Sequence, residues 1–285
     1  MKGYRKLFKF SFYVILVLFI TMVILFYRFS APKSDEKIVK TFQKEQLEVF
    51  LNYEHFQEFE YRVLRFQKEI DTLKPTVVFV HGATGSCMDF KSYILDEELR
   101  SKVNFISYDR VGYGANDTGN VQASIAFERD LLKDLVKDIP KDKLVFIGYS
   151  YGGPIALALN EKINKLILLA PAVYSEVEPM PWMLHFYKWK ATRWLVPKTW
   201  MSASKEKLTH KEDLRKFENN WKDNPNEIIA IHGLEDGIVP FSNSEYLKDQ
   251  IDNNRFKLIE LEGAGHGLVW TEFEAIKNVF LQELN

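Results

Sequence analysis

In Gly148-Tyr149-Ser150-Tyr151-Gly152 a serine has a glycine two residues to either side. That spacing suits a tight strand-to-helix turn, where a Cβ at either glycine would clash and the serine hydroxyl is left presented to a carbonyl carbon. A hydroxyl is a weak nucleophile until a base takes its proton, so a histidine and an orienting carboxylate must come from elsewhere in the chain. Among the six histidines, His266 stands in Glu262-Gly263-Ala264-Gly265-His266-Gly267, a glycine-rich loop directly after the last apolar run. Asp236 lies in Ile231-His232-Gly233-Leu234-Glu235-Asp236-Gly237, also just past an apolar run, with Glu235 as the competing carboxylate. The expected chemistry is acyl transfer, in which Ser150 attacks, His266 takes and returns the proton, and Asp236 holds the imidazole. His81 and His232 read as hydrogen-bonding residues at strand ends, Asp109 and Arg110 as turn and packing residues, and Cys87 as a small buried side chain.

Such residues cooperate only if one edge of one sheet carries them all. Thr76 to Val80, Val103 to Tyr108, Leu144 to Ile147, Lys165 to Leu169, Ile228 to Ile231 and Phe256 to Leu261 are short apolar runs without alternation, as in strands buried on both faces. Helical segments separate several of them, among them Gln122 to Ile139 with Ile125, Leu132, Leu135 and Val136 on one side. The pattern predicts an α/β fold: a mostly parallel central sheet flanked by helices, with ligands at the carboxyl ends of the strands. Phe59, Tyr61 and Val63 alternate with charged residues, so the folded domain is expected to span 59–285. Ahead of it, 31–58 reads as a linker, in which Ser34 to Glu54 forms a helix or a solvated spacer. From Pro171 to Pro225 no strand-like run occurs, and Trp182, Trp189, Trp194, Trp200 and Trp221 fall there. This stretch predicts a helical cap insertion over the sheet. Trp182, Trp189 and Trp194 are candidates for lining a substrate pocket; the alternative is a small aromatic core or a surface seated at a bilayer interface.

The 285 residues are 46% hydrophobic and 27% charged, enough for one large core. A net charge of -1 leaves no basic excess for nucleic acid. A single cysteine excludes an intrachain disulfide and a cysteine-built zinc site, and neither metal nor organic cofactor is implied. Phe10 to Tyr27 carries no charge and is close to the ~20 residues that cross a hydrocarbon core. Lys2, Arg5, Lys6 and Lys9 precede it, and Arg28-Phe29-Ser30-Ala31-Pro32 after it is poorly suited to cleavage. Residues 1–30 are therefore expected to be a basic tail and a retained single-pass anchor, with a cleaved signal as the alternative. The basic residues before the span favour a cytoplasmic N-terminus and an extracytoplasmic catalytic domain, an asymmetry reduced by Lys37, Lys40 and Lys44 further along.

From about Phe59 to Leu284 the chain resembles the α/β-hydrolase superfamily, including the chain order Ser150, Asp236, His266. Val80-His81-Gly82-Ala83-Thr84-Gly85-Ser86 resembles its H-G loop, and Asp109-Arg110-Val111-Gly112-Tyr113-Gly114 its D-x-x-G-x-G turn. The resemblance implies an α/β-hydrolase fold, the Ala83 and Tyr151 N–H groups as oxyanion hole, and a capped serine hydrolase cleaving an apolar acyl or aryl ester through an acyl-enzyme. The lipase-type H-G-G-G run is absent, which points to the smaller capped members. An acyltransferase, a C–C bond hydrolase or a silent binding protein would share the same fold. A dehalogenase or epoxide hydrolase is disfavoured, because those members have aspartate where Ser150 stands.

Overall fold

The computed structural model describes residues 2–284, without the side chains of 2–5, so Lys2 and Arg5 of the basic tail lie outside the described side chains. Eight strands, β1 Phe50–Phe56, β2 Phe59–Arg65, β3 Thr76–Val80, β4 Asn104–Tyr108, β5 Leu144–Tyr149, β6 Lys165–Leu169, β7 Ile228–Gly233 and β8 Phe256–Leu261, form one sheet in the order β1-β2-β4-β3-β5-β6-β7-β8. β1 and β2 pair antiparallel, β2 joins β4 antiparallel, and every pairing from β4 to β8 is parallel.

Alternate residues of the central strands enter two different cores. Val78, Val80, Phe146 and Leu168 point into one, with Leu131, Leu132 and Trp221. Val77, Phe79, Val145 and Ile167 point into the other, with Phe90, Tyr93, Ile276 and Phe280. Burial on both faces is why these runs show no alternation in the sequence.

Strand order reverses direction at β3, which has β4 on one side and β5 on the other. A crevice outside the carboxyl ends of β3 and β5 is the expected ligand site of such a sheet. Val80 lies in register with Gly148, Tyr149 with Leu169, and Gly233 with Leu261, so His81, Ser150, Asp236 and His266 all follow strands that end on the same edge.

Two expectations need correction. The stretch 31–58 is not a linker: helix Asp35–Gln43 buries Ile38 and Phe42 completely in the second core, and β1 extends the sheet. Arg62 Nη1 donates to Asp35 Oδ1 and to the Lys33 carbonyl, both at 2.8 Å, fastening this helix to β2. β1 is half-buried without a period of two, as suits an edge strand, and its turn at Gln57-Glu58 lacks the usual glycine or asparagine. The insertion is also narrower than 171–225. Helices Leu184–Lys188 and Lys198–Leu214 form it, whereas Trp221 belongs to the main core and donates from Nε1 to the Val173 carbonyl at 3.1 Å.

The buried aromatic ring of the supposed linker yields a test. Phe42→Ala should cost about 3–5 kcal/mol, which at ~2–4 °C per kcal/mol lowers Tm by about 6–20 °C. A melting curve unchanged from wild type would return residues 31–49 to the status of a spacer.

Candidate active site

The turn between β5 and helix Gly152–Leu157 sets Ser150 at φ +55°, left-handed for a residue with a side chain. Ser150 N–H donates to the Leu169 carbonyl at 2.9 Å, and the Ser150 carbonyl accepts from Gly153 at 2.9 Å and Ala172 at 3.2 Å. The flanking glycines are there for space. A Cβ on Gly148 would lie 2.5 Å from the Gly152 carbonyl oxygen, and one on Gly152 would lie 2.1 Å from that of Val80. Gly82 in turn abuts the serine, since a Cβ there would meet Ser150 Cβ at 2.8 Å.

Ser150 Oγ is 3.1 Å from His266 Nε2, and His266 Nδ1 is 2.7 Å from Asp236 Oδ2. Burial alone would push the Asp236 carboxyl up. Hydrogen bonds from His232, His266 and the Val239 N–H outweigh it and hold Asp236 well below the usual carboxylate range. An ionised carboxylate can only accept, so Nδ1 carries the imidazole proton and the Nε2 lone pair faces the serine hydroxyl. Asp236 Oδ1 accepts from Ile238 N–H at 2.9 Å and Val239 N–H at 2.8 Å, which fixes the carboxylate plane. Glu235 is exposed and its side chain stays outside this chain of bonds. Two adjacent acids on one loop could not be separated by type; the backbone turn separates them.

Ala83 is exposed in a turn closed by Gly85 N–H to the Gly82 carbonyl at 3.2 Å. Tyr151 is buried at the start of the helix leaving Ser150. Trp182, Trp189 and Trp194 stand on the surface, 69%, 65% and 60% exposed. Trp182 and Trp189 flank helix Leu184–Lys188 and Trp194 sits in a separate turn, Arg193–Leu195, so no common helical face gathers them.

Two residues at the site, Tyr149 and Trp270, were missed by sequence reasoning, whereas His232 reads there as a hydrogen-bonding residue at a strand end. The Tyr149 ring stacks on His266 at 5.2 Å and its hydroxyl donates to the His266 carbonyl at 2.8 Å. Trp270 lies edge-on to Tyr149 at 5.7 Å and donates to the Asp89 carbonyl at 3.0 Å. His232 is fully buried, its Nδ1 2.7 Å from Ser244 Oγ and its Nε2 3.0 Å from the Val239 carbonyl and 3.4 Å from Asp236 Oδ2. The only available signals were a tyrosine inside the serine motif and a tryptophan four residues after His266.

Below the crevice sits a buried charge cluster. Arg110 donates to Glu206 of the cap helix at 2.7 and 3.0 Å and to the Gly82 carbonyl at 3.3 Å, and its guanidinium lies 4.8 Å from the Tyr151 ring centre. The Arg110 N–H donates to His81 Nε2 at 2.9 Å; burial and the Arg110 charge lower His81 well below its ordinary value, so it stays neutral. Among the described residues no group of three or more His, Cys, Asp or Glu could hold a metal ion.

The alpha/beta hydrolase family model matches residues 77–276. The AB hydrolase superfamily protein YisY of Bacillus subtilis (strain 168) is 25% identical over 274 residues, 81% of this chain and 99% of that protein. A Mycoplasma genitalium protein provisionally named an esterase/lipase is 25% identical over 224 residues, 68% of this chain and 82% of that protein. The crystal structure of a membrane phospholipase A, described as a bacterial virulence factor, covers 97% of this chain and 98% of its own with a TM-score of 0.64, and at 16% identity shows the fold.

The charge cluster sets a pH dependence. Burial pushes the Glu128 carboxyl up to about 8 against the pull of Arg110, 3.5 Å away. A raised carboxyl stabilises the fold while protonated: in full below about pH 4, where the unfolded group also holds its proton. That contribution is lost as pH rises through about 8. Glu128→Gln removes the titration, so the variant's Tm should gain on wild type steadily from about pH 5 to about pH 8. A difference independent of pH would contradict the raised carboxyl.

Proposed function

Because the chain belongs to the alpha/beta hydrolase family, we propose that it is a membrane-anchored serine hydrolase that cleaves carboxylic esters through an acyl-enzyme. The observation that carries this reading is the unbroken path from Ser150 Oγ through both nitrogens of His266 to a carboxylate held ionised, with contacts of 3.1 and 2.7 Å. Ser150 Oγ attacks the ester carbonyl and its proton passes to His266 Nε2. Asp236 stabilises the resulting imidazolium, and the N–H groups of Ala83 and Tyr151 take the developing oxyanion. His266 then returns the proton to the departing alcohol. In the second half, water attacks the acyl group, gives its proton to the same nitrogen, and the acid leaves as Ser150 regains its hydrogen.

Apolar side chains on the loops beside Asp236 and His266 support an apolar acyl or aryl group in the substrate: Leu234, Ile238 and Trp270 are 42%, 61% and 53% exposed. A relative carrying an esterase/lipase name points the same way. Helix Lys6–Ser30 is long and apolar enough to cross a membrane, the property an anchor shares with a signal sequence. The poor cleavage context after it supports an anchor, and the basic residues before it support a catalytic domain on the extracytoplasmic side.

One reagent tests nucleophile and topology together. A fluorophosphonate should label wild type and not Ser150→Ala, whose turnover should fall by several orders of magnitude, about 10⁶ in the best-studied case. In a charged, impermeant form it should label intact spheroplasts. Near-normal esterase activity in Ser150→Ala removes the assignment, and labelling only after lysis puts the domain in the cytoplasm.

A further inference from the structure

Between Met180 and Trp194 the cap presents Met180, Trp182, Met183, Phe186, Trp189 and Trp194 to solvent, each from 41% to 69% exposed. An apolar set of this size on one short segment marks a contact surface, and its attachments identify what it contacts. The Tyr27 hydroxyl donates to the Trp194 carbonyl. The Phe26 ring lies 5.7 Å from that of Trp200, and Thr199 Oγ1 donates to the Ser30 carbonyl at 2.8 Å. The aromatic part of the cap is thus fastened to the last turn of helix Lys6–Ser30.

The 25 residues of that helix extend about 37 Å at ~1.5 Å per residue, beyond a hydrocarbon core of ~30 Å. Its last turn, and the cap fastened to it, therefore stands at headgroup level, where tryptophan rings concentrate. Charge agrees with this placement. Next to the same helix end, a cleft of about 440 Å³ is lined by Arg28, Lys33, Lys37, Lys40 and Lys44, together with Phe29, Ala31 and Thr41. No carboxylate lines it, although Glu36 outside pairs with Lys40 at 2.6 Å. Clustered cations directly after a membrane-crossing helix are complementary to anionic lipid phosphates.

We propose that the cap segment from Met180 to Trp200 lies in the headgroup layer of the bilayer crossed by the N-terminal helix, with the cleft from Arg28 to Lys44 seated on anionic lipid. Helix Lys198–Leu214 carries this contact inward. Thr199 and Trp200 touch the anchor, Glu206 holds Arg110, and the His210 ring lies 4.6 Å from that of Tyr151, about 16 Å further along the helix. Resting on the hydrolase reading, the substrate class is then an acyl ester presented by the bilayer itself.

The lone Cys87 is fully buried, so a cysteine introduced on the surface is the one a nitroxide reagent reaches. Trp182→Cys, Trp189→Cys and Trp194→Cys, each in the full chain, are labelled and reconstituted in phosphatidylcholine vesicles with and without phosphatidylglycerol. Leu73→Cys, 84% exposed and just ahead of β3 at the opposite edge of the sheet, serves as the aqueous reference, and thermal melts verify that each variant folds. The expected result is a several-fold excess of collisions with oxygen over collisions with a nickel chelate at the three cap positions relative to Leu73→Cys, larger when phosphatidylglycerol is present. A chelate that reaches the cap labels as freely as Leu73→Cys overturns the proposal, and immersion indifferent to lipid charge overturns its anionic part. The measurement needs no turnover: an immersed cap on an inert protein would sink only the hydrolase reading, and an aqueous cap on an active enzyme only this one.

Discussion

Ser150 holds φ at +55°, in a region that costs a residue with a Cβ about 1–3 kcal/mol, and the surrounding backbone is arranged to keep it there. Its N–H is committed to Leu169 on β6 and its carbonyl to Gly153 and Ala172, so the strained residue is tied on one side to a buried strand and on the other to the helix that follows it and the loop after β6. The requirement spreads outward. Gly152 must approach the Val80 carbonyl more closely than any side chain allows, which brings the carboxyl ends of β3 and β5 together and puts Gly82 against Ser150. His266 and Asp236 come from loops after β8 and β7, whose parallel register delivers them to the same edge.

A second dependence runs through the loop after β4. Asp109 pairs with Arg62 at 2.6 Å and accepts from the Cys87 N–H at 2.8 Å, while the next residue, Arg110, faces the opposite way toward Glu206 and the Gly82 carbonyl. Two adjacent charges of opposite sign thereby join four parts of the molecule: the N-terminal hairpin, the segment leading into the flanking helices, the loop beside Ser150, and the cap. Buried ion pairs add little net stability compared with apolar packing, but losing one partner leaves an uncompensated charge at a cost of about 3–5 kcal/mol. Their effect here is to fix the relative position of the cap and the Gly82 loop.

The sequence made the central strands legible because burial on both faces writes continuous apolar runs, and it made Ser150 and His266 legible because close backbone approach demands glycine around them. Four features stayed hidden for reasons equally physical. β1 is a half-buried edge strand whose apolar residues, Phe50, Leu51, Tyr53 and Phe56, do not alternate cleanly with polar ones. Ile38 and Phe42, four residues apart on a short helix, are too few to announce a buried face, yet they enter the core completely. The cap tryptophans have a residue type suited to a pocket and to a membrane surface alike, and only the contacts of Tyr27 and Phe26 with this segment distinguish the two. Tyr149 and Trp270 support His266 through ring contacts that no spacing rule encodes.

The central claim is that His266 makes Ser150 a nucleophile that carries the acyl group. Rapid quenching of the full-length protein during turnover of p-nitrophenyl butyrate, followed by peptide mass analysis, reads that intermediate directly. One butyryl group is expected on the peptide containing Ser150, formed by wild type and absent from His266→Ala. Turnover with no adduct on that peptide, or an adduct located elsewhere, would contradict it.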